Sequence, residues 1–398
     1  MIVDVILSAI DLKRAVQRKA PRLGRVRAVA IGKGAIAMVQ GLAEVSDIED
    51  GIAVSPIEGP VPKSVKLYVA DHPTPSHRSF KAGEAVLDYV SSLSRGERVV
   101  FLVSGGASSL AEVPLIPEDD FLITWGLLLR SGLDIHQMNA IRKRISAIKG
   151  GKLGAMAVAR GAYVYNLIAS DVPCDDPSDV GSGPAVPDSS TAEEALTSLK
   201  IAGLWERMPI TARTAIEEAL RGKDTPKEFR HEALVIAKNL DVLTEIQRVT
   251  GGRIVTSCLV GEARELGRYA AYLARETGTP LLLGGEPTVT VRGGGRGGRT
   301  TEFALSFILA SRRYAVFAMA TDGLDGNTGV AGVWADPGLL GELVKRGDVS
   351  SYFAENNTLE PFAETGRVVR TGPTGSNLNI VFYIDEWSRM KPLLEPRS

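Results

Sequence analysis

The sequence predicts an α/β protein of two domains, and three observations carry that prediction. Short apolar runs recur along the chain, and most end in a glycine- or aspartate-rich turn that opens into a helix, as at 26–31, 98–104 and 163–169. The 398 residues exceed what one ordinary hydrophobic core holds. Near residue 230 a second set of such runs begins, after the turn Gly222-Lys223-Asp224-Thr225-Pro226, which reads as a linker. Residues 1–228 and 229–398 are therefore expected as the two domains.

Taken in order, residues 1–16 predict an amphipathic helix rather than a signal peptide, since Asp4 is present and no basic leader precedes it. The strand at 26–31 feeds Gly32-Lys33-Gly34, which presents Lys33 above the strand end. Without spaced glycines and a Lys-Ser/Thr pair, this is not a Walker loop. A strand at 65–70 leads into Asp71-His72-Pro73-Thr74-Pro75 and a helix over 78–93. The strand at 98–104 runs into Gly105-Gly106-Ala107-Ser108-Ser109, either a phosphate cradle or a tight turn with capping serines. Two helices then extend to about residue 147. The strand at 163–169 ends in the acidic cluster around Asp171, which suits Mg²⁺ but is also ordinary loop chemistry. Gly181-Ser182-Gly183-Pro184 follows.

The second half predicts strands at 233–237, 253–257 and 280–283 and a helix over 262–276. A strand at 314–320 ends in a turn carrying Asp322 and Asp325, candidates for metal or hydroxyl chemistry. The polar turn 371–379, with Asn377, precedes a last strand at 380–384.

Residues 284–303, GGEPTVTVRGGGRGGRTTEF, concentrate anion-binding chemistry as no other stretch does. An alternating segment at 288–291 reads as a strand with one polar face, and an apolar-periodic run from Phe303 reads as a helix. Between them lie five glycines with Arg296, then Arg299. Such a loop can bring bare N–H groups around an anion, and both arginines add a planar donor fork. Gly293, Gly295 and Gly298 also satisfy G-x-G-x-x-G, a weak match in a chain of 42 glycines. A dinucleotide site, a structural glycine loop and an anion-handling loop all remain readings of these letters.

Composition excludes other classes. A net charge of −1 gives no bulk attraction to nucleic acid or an anionic membrane. No apolar run approaches a membrane span. Cys174 and Cys258 form no C-x-x-C pair and no disulfide framework, so a reducing cytoplasm is expected. The four histidines show no metal spacing, and no G-x-S-x-G elbow is present.

Eight motifs in order resemble the class II glycerate 2-kinases, whose C-terminal part is the MOFRL domain. They are AIGKGA (30–35), ADHPTP (70–75), VSGGASSL (103–110), AIKGGKLGAMA (147–157), SDVPCDDPSDVGSGP (170–184), the stretch 284–303, ATDGLDGNTG (320–329) and TGPTGSN (371–377). Thr300 and Thr301 stand where the family usually carries Asn-Gln, and Ile380 where it usually carries an acid. The resemblance implies a larger Rossmann-like N-terminal domain, a smaller α/β MOFRL domain and an active site in the cleft between them. It implies ATP- and Mg²⁺-dependent phosphorylation of D-glycerate at its 2-hydroxyl. Lys33, Asp171, Glu286, Arg299 and Asp325 match functional positions of the family. Lys33 and Arg299 would stabilise phosphoryl or carboxylate charge, and Asp171 or Asp325 would accept the hydroxyl proton. Ser104, Gly105, Gly106, Ser182, Gly183, Glu286, Arg296 and Asn377 would bind substrate or ATP, and Asp171 and Asp322 the metal. Partners would be small molecules, with a homo-oligomer left open. The competing readings are an NAD(P)-dependent hydroxypyruvate reductase and a non-catalytic anion-binding protein.

Overall fold

The computed structural model describes residues 1–394. Its first sheet has six strands: β1 (Arg25–Ile31), β2 (Asp47–Ser55), β3 (Val65–Val69), β4 (Arg98–Val103), β5 (Tyr163–Ala169) and β6 (Glu232–Ala237). Their order is β3-β2-β1-β4-β5-β6, and every neighbouring pair is parallel. Parallel strands need long crossovers, whose helices cover both faces, so the central strands must be apolar on both sides. Accordingly β4 is buried from Val99 through Val103, and Ala28 to Ile31 of β1 are at most 2% exposed. This is the doubly wound, Rossmann-like order. The chain works outward from β1 to β3 and then returns to β4 on the other side of β1. The reversal leaves a crevice at the C-terminal ends of β1 and β4, where ligands of such sheets bind.

Three elements up to β6 differ from the sequence expectation. β2 is an inner strand that opens on Asp47, Glu49 and Asp50, and only its last five residues are continuously buried. The strand expected to start the second half is β6, which pairs with β5 and completes the first sheet. The single N-terminal helix is two, Ile2–Ala9 and Leu12–Lys19.

The second sheet contains β7 (Arg253–Glu262), β8 (Leu281–Thr288), β9 (Ala315–Ala320), β10 (Gly332–Ala335), β11 (Val368–Val369) and β12 (Ile380–Asp385). Its order is β11-β10-β9-β12-β8-β7, with β7 and β8 parallel and the remaining pairs antiparallel. β9 and β12 are buried at every residue. The helix Arg299–Ser311 packs on this sheet through Phe303, whose ring stacks on that of Phe382 with centroids 3.9 Å apart. The strand expected at 288–291 is absent, because β8 ends at Thr288.

The chain divides into two units, neither a single run of sequence. One holds Leu12–Ser170 and Asp175–Ala237; the other holds Met1–Asp11, Asp171–Cys174 and the chain from Lys238 onward.

Candidate functional site

The parallel-sheet unit brings Lys33 and the 104–106 turn together at the switch point. Ser104 N–H donates to the Ile31 carbonyl at 3.1 Å, and Lys33 N–H donates to that of Gly105 at 2.8 Å. The Ser104 hydroxyl accepts from Gly34 N–H at 3.0 Å. The two turns interlock so closely that a Cβ on Gly32, whose φ is +135°, would lie 2.2 Å from Ser104 Oγ. Gly106, at φ +85°, is covered from two sides: a Cβ there would meet His72 Cδ2 at 2.9 Å and Lys33 Cγ at 3.3 Å. His72 is exposed and belongs beside Lys33, although its sequence context marked only a turn. Ser104 and Gly105 are buried and shape the turn, while Lys33, Gly106 and Ser108 reach its surface.

Ser182 and Gly183, expected to bind substrate or ATP, are both buried. Ser182 is 0% exposed, shares a 2.8 Å hydroxyl contact with Ser108, and donates to Asn139 Oδ1 at 2.9 Å. A Cβ on Gly183 would lie 2.5 Å from the Ser178 carbonyl. Ser182 thus braces the turn through Ser108.

The mixed-sheet unit gathers a guanidinium, a carboxylate and a side-chain amide beside one main-chain carbonyl. Arg299, at the start of its helix, pairs through Nη1 with Glu286 on β8, and both side chains are about a quarter exposed, at 25% and 29%. Asn379, with its amide nitrogen turned toward them, donates to Glu286 Oε2 at 3.0 Å and to the Asp171 carbonyl at 2.6 Å. Asn379 was absent from the sequence-based set. Its signal is its left-handed backbone, φ +64°, which asparagine tolerates better than most residues. Asn377 accepts from Asn379 N–H at 3.2 Å, so it braces this residue. Asp322 accepts from Leu324 N–H at 3.1 Å in an ordinary turn.

The glycine loop is not a bare cradle. The amides of Arg292 and Gly293 donate to Asn356 Oδ1, at 2.6 and 2.9 Å. Those of Gly295, Arg296 and Gly297 donate to the Glu355 carbonyl, Asn357 Oδ1 and Asn327 Oδ1. Gly298 N–H goes to the Thr301 hydroxyl. The glycines serve close approach instead: Cβ atoms at Gly293, Gly295 and Gly297 would lie 2.4, 2.5 and 2.6 Å from backbone atoms of Glu355 and Asn356. Arg296 is likewise pinned, donating from Nη2 to the Thr328 carbonyl at 2.6 Å. An anion finds few free amides here, and the G-x-G-x-x-G match lies outside the doubly wound sheet altogether.

Asp325 corrects a second expectation. It is 0% exposed and caps the helix Arg299–Ser311, accepting from Thr300 N–H, Thr301 N–H and the Thr300 hydroxyl at 2.6–3.2 Å. Burial pushes its carboxyl above the usual range, against the pull of these hydrogen bonds. A carboxylate already spent on the helix N-terminus is a structural cap, not a proton acceptor for substrate. Thr300 and Thr301 thus satisfy Asp325 and the loop, not a ligand.

Glu302, in the same helix turn, is 6% exposed and its Oε2 lacks a hydrogen-bond partner. Burial, with repulsion from Glu262, pushes its carboxyl from an ordinary 4.5 to about 7, against attraction from Arg264. The folded state therefore binds a proton that the unfolded chain has released. This contribution to stability is complete below 4.5 and is lost as pH rises through about 7. Glu302→Gln, which mimics the protonated acid, is expected to raise the melting temperature at pH 8.5 and leave it nearly unchanged at pH 4, a difference of about 3 kcal/mol. Thermal melts at both pH values check this; an equal shift at both would refute the assignment.

The two cysteines, expected to be reduced, are bonded: Cys174 and Cys258 form a disulfide with Cα atoms 5.0 Å apart. Cysteine spacing therefore no longer argues for a reducing compartment. No three His, Cys, Asp or Glu side chains among the described residues converge as a metal cage.

Residues 3–217 match a family described as a domain of unknown function (DUF4147), and residues 279–380 match the MOFRL family. The glycerate 2-kinase of Pyrococcus horikoshii is 36% identical over 386 residues, covering 90% of this chain and 86% of its own length. The D-glycerate 2-kinase of Thermotoga maritima is 34% identical, covering 95% of each. An Agrobacterium vitis relative, provisionally named a hydroxypyruvate reductase, is 35% identical and covers 95% of this chain and 91% of its own. Among solved structures, glycerate kinase from Thermotoga maritima aligns with a TM-score of 0.83 at 34% identity, covering 97% of each chain.

Proposed function

The chain belongs to the glycerate 2-kinase family, and on that premise we propose that it transfers the γ-phosphoryl group of ATP to the 2-hydroxyl of D-glycerate, giving 2-phosphoglycerate and ADP. The observation that carries this reading is Lys33 at the switch point of the parallel sheet, beside the partly exposed Gly106 of the 104–108 turn. Phosphoryl transfer needs alignment and charge stabilisation more than covalent chemistry. A lysine at this position supplies a compact charge for phosphoryl oxygens, and Gly106 lets an anion approach the backbone. Arg299, held by Glu286, offers its remaining donors to a second anion, the glycerate carboxylate or a phosphate. Asp171 is the acid we assign to the hydroxyl proton, since Asp325 is buried.

Magnesium prefers oxygen donors, carboxylates among them. It is commonly held by one or two carboxylates with phosphates and water, so a full protein cage is not required. Asp171 and Asp322 are the residues that would hold it, and the ion would neutralise charge on the ATP phosphates. We place the reaction in the cytoplasm, where ATP is available; no helix among the described residues is long and apolar enough to cross a membrane. The reductase reading has lost its motivating motif, because the loop 293–298 spends its amides on its own unit.

Purified protein with MgATP and D-glycerate is expected to form 2-phosphoglycerate and ADP, identified by coupled assay and phosphorus NMR. Formation of 3-phosphoglycerate alone, or absence of ADP release, would sink the proposal. Oxidation of NAD(P)H with hydroxypyruvate would favour the reductase.

A further inference from the structure

The segment Asp171–Cys174 is a four-residue excursion. It groups with the mixed-sheet unit, while Ser170 before it and Asp175 after it group with the other unit. At its first residue the Asn379 amide holds the Asp171 carbonyl, at 2.6 Å. At its last residue Cys174 is bonded to Cys258 of β7, 84 positions along the chain. These are the only cysteines in 398 residues, and they meet.

The backbone makes the pairing more pointed. Cys174 has φ +64° and Asp175 φ +61°, so two consecutive residues with side chains stand in the left-handed region. Each costs about 1–2 kcal/mol relative to glycine there. Cys174, the first of these two residues, is the one that carries the bond to Cys258. On β7 the pairing register with β8 shifts between Thr256 and Leu259, and the Thr256 hydroxyl accepts from Cys258 N–H at 3.0 Å. The strand is thus irregular where the bond attaches.

We propose that the Cys174–Cys258 disulfide is a positioning clasp for Asp171, holding the segment against Asn379 and, through that residue, beside the Glu286–Arg299 pair. This rests on the kinase reading for its activity measurement. Cys174 is exposed, so a thiolate from a dithiol can attack its sulfur. The Sγ–Sγ bond breaks and a mixed disulfide forms. The second thiol of the reagent then closes, leaving two protonated cysteines and an oxidised dithiol. Asp171 then has one tether fewer, and a small misplacement of a reacting group is costly to turnover.

The test compares oxidised wild type, dithiothreitol-reduced wild type and Cys174→Gly, which keeps the positive φ without the bond. Intact mass and thiol labelling establish the state of the pair, and kcat is measured with saturating MgATP and D-glycerate. Reduced protein and Cys174→Gly are expected to show kcat lower by about tenfold or more, together with faster amide exchange over 171–175. Cys174→Gly should not respond further to the reductant, and re-oxidation should restore wild type. A bond with a merely structural role would lower the melting temperature and leave kcat unchanged. Equal kcat in all three forms, or failure of the bond to form under oxidised glutathione, overturns the clasp. Absence of turnover in the oxidised protein would instead count against the kinase reading, and unchanged amide exchange on reduction would then still overturn the clasp.

Discussion

Lys33→Met is expected to lower kcat/KM for MgATP-dependent glycerate phosphorylation by about 10³-fold, from a lost charge contact of roughly 4 kcal/mol. The melting temperature should barely move. The backbone of residue 33 holds the turns together, through its N–H to Gly105, and methionine keeps that bond. Only the ammonium is removed, and methionine preserves most of the side-chain volume beside Gly106. Lys33→Arg keeps the charge on a bulkier, planar group in a crowded corner next to His72, so a smaller but clear loss is expected. Steady-state kinetics on both variants with thermal melts decide the matter. If Lys33→Met retains more than a tenth of wild-type kcat/KM, the switch point is not where the phosphoryl group is handled.

The place of Lys33 above the end of β1 was legible in the sequence because local signals sufficed. A strand buried on both faces reads as an apolar run, and β4 is one from Val99, β1 from Ala28 and β5 from Leu167. Gly-Lys-Gly then marks the turn above β1. β2 was not legible because its acidic first half conceals its role as an inner strand. β6 was legible as a strand but not as a member of the first sheet, since pairing with β5 is a long-range fact.

The same distinction governs the glycine loop. Sequence shows that 293–298 can free its amides and cannot show who accepts them. The acceptors Asn327, Glu355, Asn356 and Asn357 lie roughly 30 to 65 positions downstream, in segments whose letters read as ordinary turns. Asp325 reads in the sequence as a candidate for hydroxyl chemistry, but its partners Thr300 and Thr301 turn it into a helix cap. The disulfide was invisible for the same reason: two cysteines 84 residues apart carry no local signature.

The residue of that stretch to which we assign a ligand is the arginine at its end, and Arg299→Lys is expected to cut kcat/KM by about 10²-fold with the fold intact, roughly 3 kcal/mol. Arg299 pairs through Nη1 with Glu286, whose other oxygen accepts from Asn379. A guanidinium has five donors in a planar fork, so it can keep Glu286 and still present an edge to a substrate anion. A lysine ammonium is a single point of charge, and Glu286 would hold it while the ligand approached. The predicted loss therefore comes from geometry, because the charge is unchanged. Arg296→Lys should lose less than tenfold, since Arg296 is exposed and its structural contact, to the Thr328 carbonyl, needs one donor that lysine also has. Steady-state kinetics with melting temperatures on both variants test the contrast. Wild-type turnover by Arg299→Lys would make the Glu286 pair a structural contact only. Equal losses at the two arginines would show that loop docking, rather than the Arg299 fork, sets the rate.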